Sequence, residues 1–252
     1  MALQNPPAIV FSDFDGTITL QDSNDYLTDN LGMGQKQREF IGNEILEGRT
    51  NFRDGFREEI ESVKTPFNQC VETLLANIKL DPGFKEFFTY CQEQGIPIIV
   101  VSSGMKPIIS ALITKLIGPE AVEKIDILSN DVRLGGDDGA NWELLYKDPE
   151  SPFGHDKAKS IKEYLEKHGY ADLDQDSEGL VSPKLFYAGD GVSDLSAAKE
   201  TDLLFAKHGK DLIKYCVREN IPYTEFNDFA DILNKLKKIM GGEPIKDFVE
   251  NP

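Results

Sequence analysis

Apolar runs of strand length occur at three well-separated places in this chain, and each stops at small, polar or acidic residues: PAIVFSDFDG, IPIIVVSSG and KLFYAGDG. Unbroken apolar runs of this length fit strands buried on both faces. DLLFAK predicts a further strand, and IDILSNDVRLGGDDGANWELLYKD reads as strand, turn, strand, with Gly135-Gly136 and Asp138-Gly139 as the turn signals. The intervening segments change period. DPGFKEFFTYCQEQG, MKPIISALITKLIG, GHDKAKSIKEYLEKHG, SDLSAAKETD and NDFADILNKLKKIM carry apolar residues at helical spacing.

The stretch after the first strand is different, because helical patterns follow one another there without a strand. NDYLTDNLG, QKQREFIGNEILEG, FRDGFREEIESV and FNQCVETLLANI are punctuated by Gly32, Gly34, Gly48 and Pro66. The expected architecture is α/β: a doubly wound (Rossmann-like) parallel sheet with an inserted α-helical cap. The core takes residues 1–20 and 80–252, and the cap 21–79. Ligands in such sheets bind beyond the carboxyl ends of the strands. SDFDGT, SSG and GDGVSD all fall there.

Composition narrows the functional classes. The 252 residues are 40% hydrophobic and 28% charged, as in an ordinary globular protein, with no apolar stretch of membrane-spanning length. The net charge of -17, from 44 acidic against 27 basic residues, opposes nucleic-acid binding. Cys70, Cys91 and Cys216 are odd in number and widely spaced, which argues against a disulfide framework and for a reducing, cytoplasmic setting. MALQNPPAIV lacks the pattern of a signal peptide.

Each chemical element alone has a plain structural reading. DFDGT is a turn, VVSSG a strand end, Lys157 a solvated lysine, and GDGVSD a turn with a helix cap. Together, in order and at strand ends, DFDGTIT, VVSSG, Lys157 of GHDKAKSI and GDGVSDLSAA resemble the four motifs of the haloacid dehalogenase-like phosphatase superfamily. The helical insert resembles the cap of its phosphoserine phosphatase-like branch. That resemblance implies a phosphatase working through an aspartyl-phosphate with Mg²⁺ on a small phosphorylated metabolite.

Phosphoryl transfer to a protein needs an in-line anionic nucleophile and positive charge to offset the phosphoryl oxygens. Asp13 is the candidate nucleophile. Asp13 and Asp190, with the backbone carbonyl of Asp15, suit an oxygen-only Mg²⁺ site. Asp194 would hold a metal-bound water or orient the lysine. The Asp15 side chain would be the proton carrier, with Gly16 and Thr17 making the turn and helping to fix it. Ser102 matches the family's hydroxyl donor, with Ser103 as the competing choice and the N–H groups of Ser103 and Gly104 as further donors. Lys157 would neutralise phosphate charge, although Lys147 and Lys159 lie nearby in sequence.

For the leaving group, the branch implies an acidic residue near Asp22 and a cap arginine. Aligning on Asn51-Phe52 puts Glu59 at the arginine position, which departs from phosphoserine specificity. Arg53 and Arg57 are possible substitutes. Asp22, Asp25 and Glu59 suit a hydroxyl-rich leaving group of the sugar or polyol type, or a cationic one such as phosphocholine or phosphoethanolamine. Two other classes compete. The loop of a calcium-binding module partly fits FSDFDGTITLQD, but Phe11 stands at its first ligand position. A phosphoacceptor signalling domain also combines acidic residues, Ser or Thr, and Lys, but is about half this size and has no helical insert.

Overall fold

The computed structural model describes residues 5–136, 139–170 and 182–250. Strand β1 (Ala8–Ser12) is followed by four helices, α1 (Ser23–Leu31), α2 (Gln35–Leu46), α3 (Phe52–Glu61) and α4 (Phe67–Asn77). Then come α5 (Phe84–Glu93), β2 (Ile98–Met105), α6 (Lys106–Leu116) and a four-residue α7 (Pro119–Val122). A hairpin of β3 (Ile125–Gly135) and β4 (Asn141–Leu145) precedes α8 (Lys157–Lys167) and β5 (Lys184–Gly189). The chain closes with α9 (Leu195–Ala198), β6 (Leu203–Lys207), α10 (Asp211–Glu219), β7 (Thr224–Phe226) and α11 (Phe229–Met240). The expected strands, hairpin and helices are therefore present. Asp138 of the expected turn lies outside the described residues.

Seven strands form one sheet in the order β4-β3-β2-β1-β5-β6-β7, parallel except for the β3–β4 pair. Successive β1 side chains alternate between two cores. Ala8 and Val10 join Ile98, Val100, Phe186 and Ala188 on one face, while Ile9 and Phe11 join Ile99, Val101 and Tyr187 on the other. This explains the unbroken apolar runs, since neither face is left to solvent. Helices α5, α6 and α11 supply the first core, with Phe84, Phe87, Leu112 and Leu236 among its members. Ile161 of α8, Ala197 of α9, and Leu212 and Cys216 of α10 supply the second.

Strand order reverses at β1, whose neighbours are β2 and β5. That places the topological switch, and the crevice it opens, at the carboxyl end of β1.

The helical insert leaves and returns through a narrow neck. Leu20 N–H donates to Lys79 O at 2.9 Å, Asp81 N–H donates to Ile18 O at 2.9 Å, and Thr19 bridges Leu80. The Gln21 side chain adds a bond from Lys79 N at 2.9 Å. Just past the neck, Asp22 caps α1, its Oδ1 accepting from Asn24 N and Asp25 N. Such a cap stabilises a helix by about 1 kcal/mol. Phe56, Ile60, Cys70 and Leu74 of the insert continue the first core. The insert also rests on the β4 edge, where Phe67 meets Trp142 edge to face at 5.4 Å and Trp142 Nε1 donates to Thr65 O.

Helices α7 and α10 and strand β7 are not anticipated from sequence. A four-residue helix and a three-residue strand are too short to show a period. The buried residues of α10 are Leu212, Tyr215 and Cys216, with Ile213 packed beside them. The expected short helix at SDLSAAKETD is a 3₁₀ turn at Val192–Asp194 running into α9.

Candidate active site

The switch point gathers residues from four distant parts of the sequence. Asp13 follows β1, and its Oδ1 accepts from Phe14 N–H at 2.7 Å. Lys157, the first residue of α8, is 1% exposed. Its Nζ lies 3.0 Å from Asp13 Oδ2 and 2.6 Å from Asp194 Oδ1. Asp194 is held from every side: Tyr187 Oη donates to Oδ1 at 2.6 Å, and Asp190 N and Gly191 N donate to Oδ2 at 2.9 and 3.0 Å. These contacts distinguish Lys157 from its neighbours. Lys147 pairs with Glu163 and Lys159 with Asp148, both away from Asp13.

Carboxylate oxygens of Asp13, Asp190 and Asp194 lie within 4.8 Å of one another. Gly16 permits this approach. It has φ +74°, and a Cβ there would sit 2.3 Å from Asp190 Oδ2. Burial and then the Asp194 charge push the Asp13 carboxyl up to about 7. Burial, Asp13 and Asp194 raise Asp190 well above the carboxylate range. Burial opposes the Lys157 charge, but Asp13 and Asp194 outweigh it and raise the ammonium above its ordinary range. Lys210 Nζ reaches Asp190 Oδ2 at 3.8 Å, so three carboxylates face two ammonium groups, and the donors of the cluster are all oxygens. Both features fit a hard divalent cation.

The Asp15 side chain is held separately. Ser23 N–H donates to its Oδ1 at 2.8 Å and Asn24 Nδ2 to its Oδ2 at 3.1 Å. A side chain at Gly104 would meet Asp15 Oδ2 at 2.7 Å, so the glycine makes room for this carboxyl. Burial and the Asp22 charge push Asp15 up to about 8. The expectation that Thr17 fixes Asp15 is corrected. The Thr17 hydroxyl is buried without a partner, and Ser23 and Asn24 hold the aspartate instead.

Ser102 Oγ accepts from Gly104 N at 2.9 Å, which leaves its own proton free to donate. The Ser103 hydroxyl is buried without a partner. Ser102, Ser103 and Gly104 all line the same cleft, of about 570 Å³, as Asp13, Asp15 and Asp190.

The far side of this cleft comes from the insert. Asp22, Asn24, Asp25, Arg38 and Glu59 line it, beside the apolar surfaces of Ile45, Phe52 and Phe56. Glu59 is 9% exposed. Burial pushes it up to about 7 against the pull of Arg38. Arg38 grips Asp29 through Nε and Nη2 at 2.7 and 3.0 Å and reaches Asp25 through Nη1 at 2.9 Å.

Arg53 and Arg57 are not part of the cleft. Arg53 donates to Pro149 O at 2.7 Å and pairs with Asp54, while Arg57 lies over the Tyr146 ring at 4.8 Å. Both dock the insert onto the segment after β4, which corrects their candidacy for the leaving group. Sequence reasoning missed Arg38, Asn24, Tyr187 and the cleft-lining Lys210. Lone polar residues within helical or strand patterns carry no motif that would single them out. The calcium-loop reading also fails on geometry, because Phe11, at its first ligand position, points into a core from β1.

Fold and site together define an enzyme of the doubly wound α/β class, with an acidic, lysine-bearing centre at the strand switch point. The chain belongs to the haloacid dehalogenase-like hydrolase family, whose sequence model matches residues 10–199. It is 52% identical over 245 residues to a polyol phosphate phosphatase of Saccharomyces cerevisiae, covering 97% of this chain and 99% of that one. It is 48% identical over 236 residues to Pdp3-interacting factor 1 of Schizosaccharomyces pombe, covering 94% and 97%. A substrate-bound phosphoserine phosphatase complex shares the fold, with TM-score 0.63 at 22% identity over 92% of this chain and 99% of that one. Among the described residues, no helix is long and apolar enough to cross a membrane.

Proposed function

We propose that this chain is a Mg²⁺-dependent phosphomonoester hydrolase acting on the phosphate ester of a small, uncharged polyol or sugar. The observation that carries the reading is the placement of Asp13 against Lys157, with Asp15 held apart by Ser23 and Asn24. One carboxylate is set to attack, and the other to carry a proton. The 52% identity to a polyol phosphate phosphatase supports the substrate class.

In the first half-reaction an Asp13 oxygen forms a bond to phosphorus as the ester P–O bond breaks, and Asp15 gives its proton to the departing alkoxide. In the second, Asp15 takes a proton from water as the water oxygen attacks phosphorus. Phosphate then leaves and the Asp13 carboxylate is restored. Lys157 offsets the charge of the phosphoryl oxygens, and Ser102 donates to one of them. Mg²⁺ held by Asp13, Asp190 and the Asp15 carbonyl would supply the remaining positive charge. Asp194, saturated by its four hydrogen bonds, orients Lys157.

Residues 21–79 act as a cap that chooses the leaving group over a core of residues 1–20 and 80–252. Asp22, Asp25 and Glu59 offer hydrogen bonds to hydroxyls. The cap arginine that lines the cleft, Arg38, is already neutralised by Asp25 and Asp29, which disfavours the carboxylate of phosphoserine. The net charge of -17 argues against nucleic acid as a partner. The three buried, unpaired cysteines support a cytoplasmic setting.

The test is to assay purified protein with Mg²⁺ on polyol phosphates, sugar phosphates, phosphoserine and phosphocholine. We expect kcat/KM for a polyol phosphate to exceed that for phosphoserine by about tenfold or more, the worth of one unpaired buried carboxylate. Absence of turnover on every phosphomonoester, or a preference for phosphoserine, would overturn the reading.

A further inference from the structure

We propose that His155 is a positioning residue of this site, tying the Ser102 strand end to the helix that begins at Lys157. The inference rests on the phosphatase reading above. His155 is 1% exposed and touches none of the reacting groups. Its Nδ1 lies 2.7 Å from the backbone O of Ser102 and its Nε2 lies 2.8 Å from Ser160 Oγ. A carbonyl oxygen can only accept, so Nδ1 carries the proton. In the neutral ring Nε2 then accepts from the Ser160 hydroxyl. Both ring nitrogens are satisfied, and only one tautomer achieves this. Burial and the nearby Lys157 and Lys147 charges hold the ring neutral, against the pull of the Ser102 carbonyl and Asp148.

The two places it joins matter to the chemistry. At Ser102 the β2–β3 ladder loses its regular register, with a shift between Ser102 and Met105. The backbone there must be held by something besides the sheet. His155 holds the carbonyl of Ser102, and Asn130 Nδ2 holds the next one, that of Ser103, at 2.7 Å. Ser160 stands one helical turn beyond Lys157 on α8. The imidazole therefore sets the spacing between a hydroxyl donor and an ammonium that come from segments 55 residues apart, from Ser102 to Lys157. Misplacing such groups by about 1 Å lowers turnover by up to about a hundredfold.

Two variants separate positioning from simple packing. His155→Asn keeps an N–H where Nδ1 stood and so retains the Ser102 bond. His155→Gln keeps a polar group near Nε2 and loses that bond. With an aryl phosphate as substrate, we expect the Asn variant to stay within about fivefold of wild type in kcat. The Gln variant should fall about tenfold below it and bind inorganic phosphate, measured as a competitive inhibitor, about fivefold more weakly. Equal kcat and equal phosphate inhibition in folded Asn and Gln variants would overturn the proposal. If the Gln variant does not fold, His155→Leu, which loses the Ser102 bond at similar volume, decides: phosphate inhibition weaker than in the Asn variant supports the proposal, and inhibition equal to that of the Asn variant overturns it. A wild-type protein without turnover would sink the phosphatase reading itself, whereas an active wild type with equal variants sinks only the role of His155.

Discussion

Lys157 Nζ bridges two carboxylates that the sequence separates by 181 positions, Asp13 at 3.0 Å and Asp194 at 2.6 Å. Asp194 is fully engaged and fixes the ammonium, which with Phe14 N–H on the other oxygen holds the Asp13 carboxylate in place at the cleft. Asp13→Asn should therefore lower phosphatase turnover by about three orders of magnitude or more. Thermal stability should be retained, because one of three mutually repelling carboxylates is removed while the Lys157–Asp194 pair survives. Measured kcat together with Tm checks both halves, and an active Asp13→Asn protein would refute the assignment of the nucleophile.

The same crowding of carboxylates predicts a metal effect visible without any substrate. Mg²⁺ at about a hundred times its dissociation constant should stabilise the fold by about 2.7 kcal/mol. The accompanying rise in Tm should disappear in Asp190→Asn. A rise of equal size in that variant would place the cation elsewhere.

Glu59 is buried at the cleft wall with its carboxyl raised to about 7. Glu59→Ala should raise KM for a polyol phosphate about tenfold, the loss of one hydrogen bond to the leaving group. KM for an aryl phosphate, which offers no such hydroxyl, should stay within about twofold. Equal changes for both substrates would show that Glu59 shapes the cleft without reading the alcohol.

His155 makes a prediction about acid stability. Burial, with Lys157 and Lys147, lowers its pKa from 6.5 to about 4 in the folded chain. The unfolded chain binds the extra proton first, so the stability from the neutral ring is complete above about 6.5 and is lost as pH falls towards 4. The Tm advantage of wild type over His155→Asn should therefore be constant above about pH 6.5 and shrink below it. An advantage that does not change with pH would contradict this.

How much of this was readable in advance depends on what kind of signal each residue leaves. Asp13, Asp15, Ser102 and Asp190 stand where an apolar run stops, and a strand buried on both faces makes that boundary sharp. In sequence Lys157 is favoured over Lys147 and Lys159 only because it opens a helix soon after the hairpin, whereas side-chain direction shows which ammonium turns inward. Arg53 and Arg57 look like possible substitutes for the cap arginine, yet Pro149 and Tyr146, in the segment after β4, take them as docking groups, a tertiary contact that no local pattern encodes. Arg38 is a single polar residue within a helix, and His155 stands just before the cap of another. Their importance lies in partners far along the chain.

The neck at Thr19 and Leu80 brings the two ends of the insert side by side, joined by backbone bonds from Leu20 to Lys79 and from Asp81 to Ile18. To the sheet, the whole helical excursion is therefore equivalent to a loop closed at its base. Such a base is a natural graft point: one lid can be exchanged for another without moving Asp13 or resetting any strand register. The chain writes its reaction and its choice of alcohol in passages that share only Ser23 and Asn24, the two insert residues that hold Asp15, so a change of diet can rewrite the rest of the insert alone.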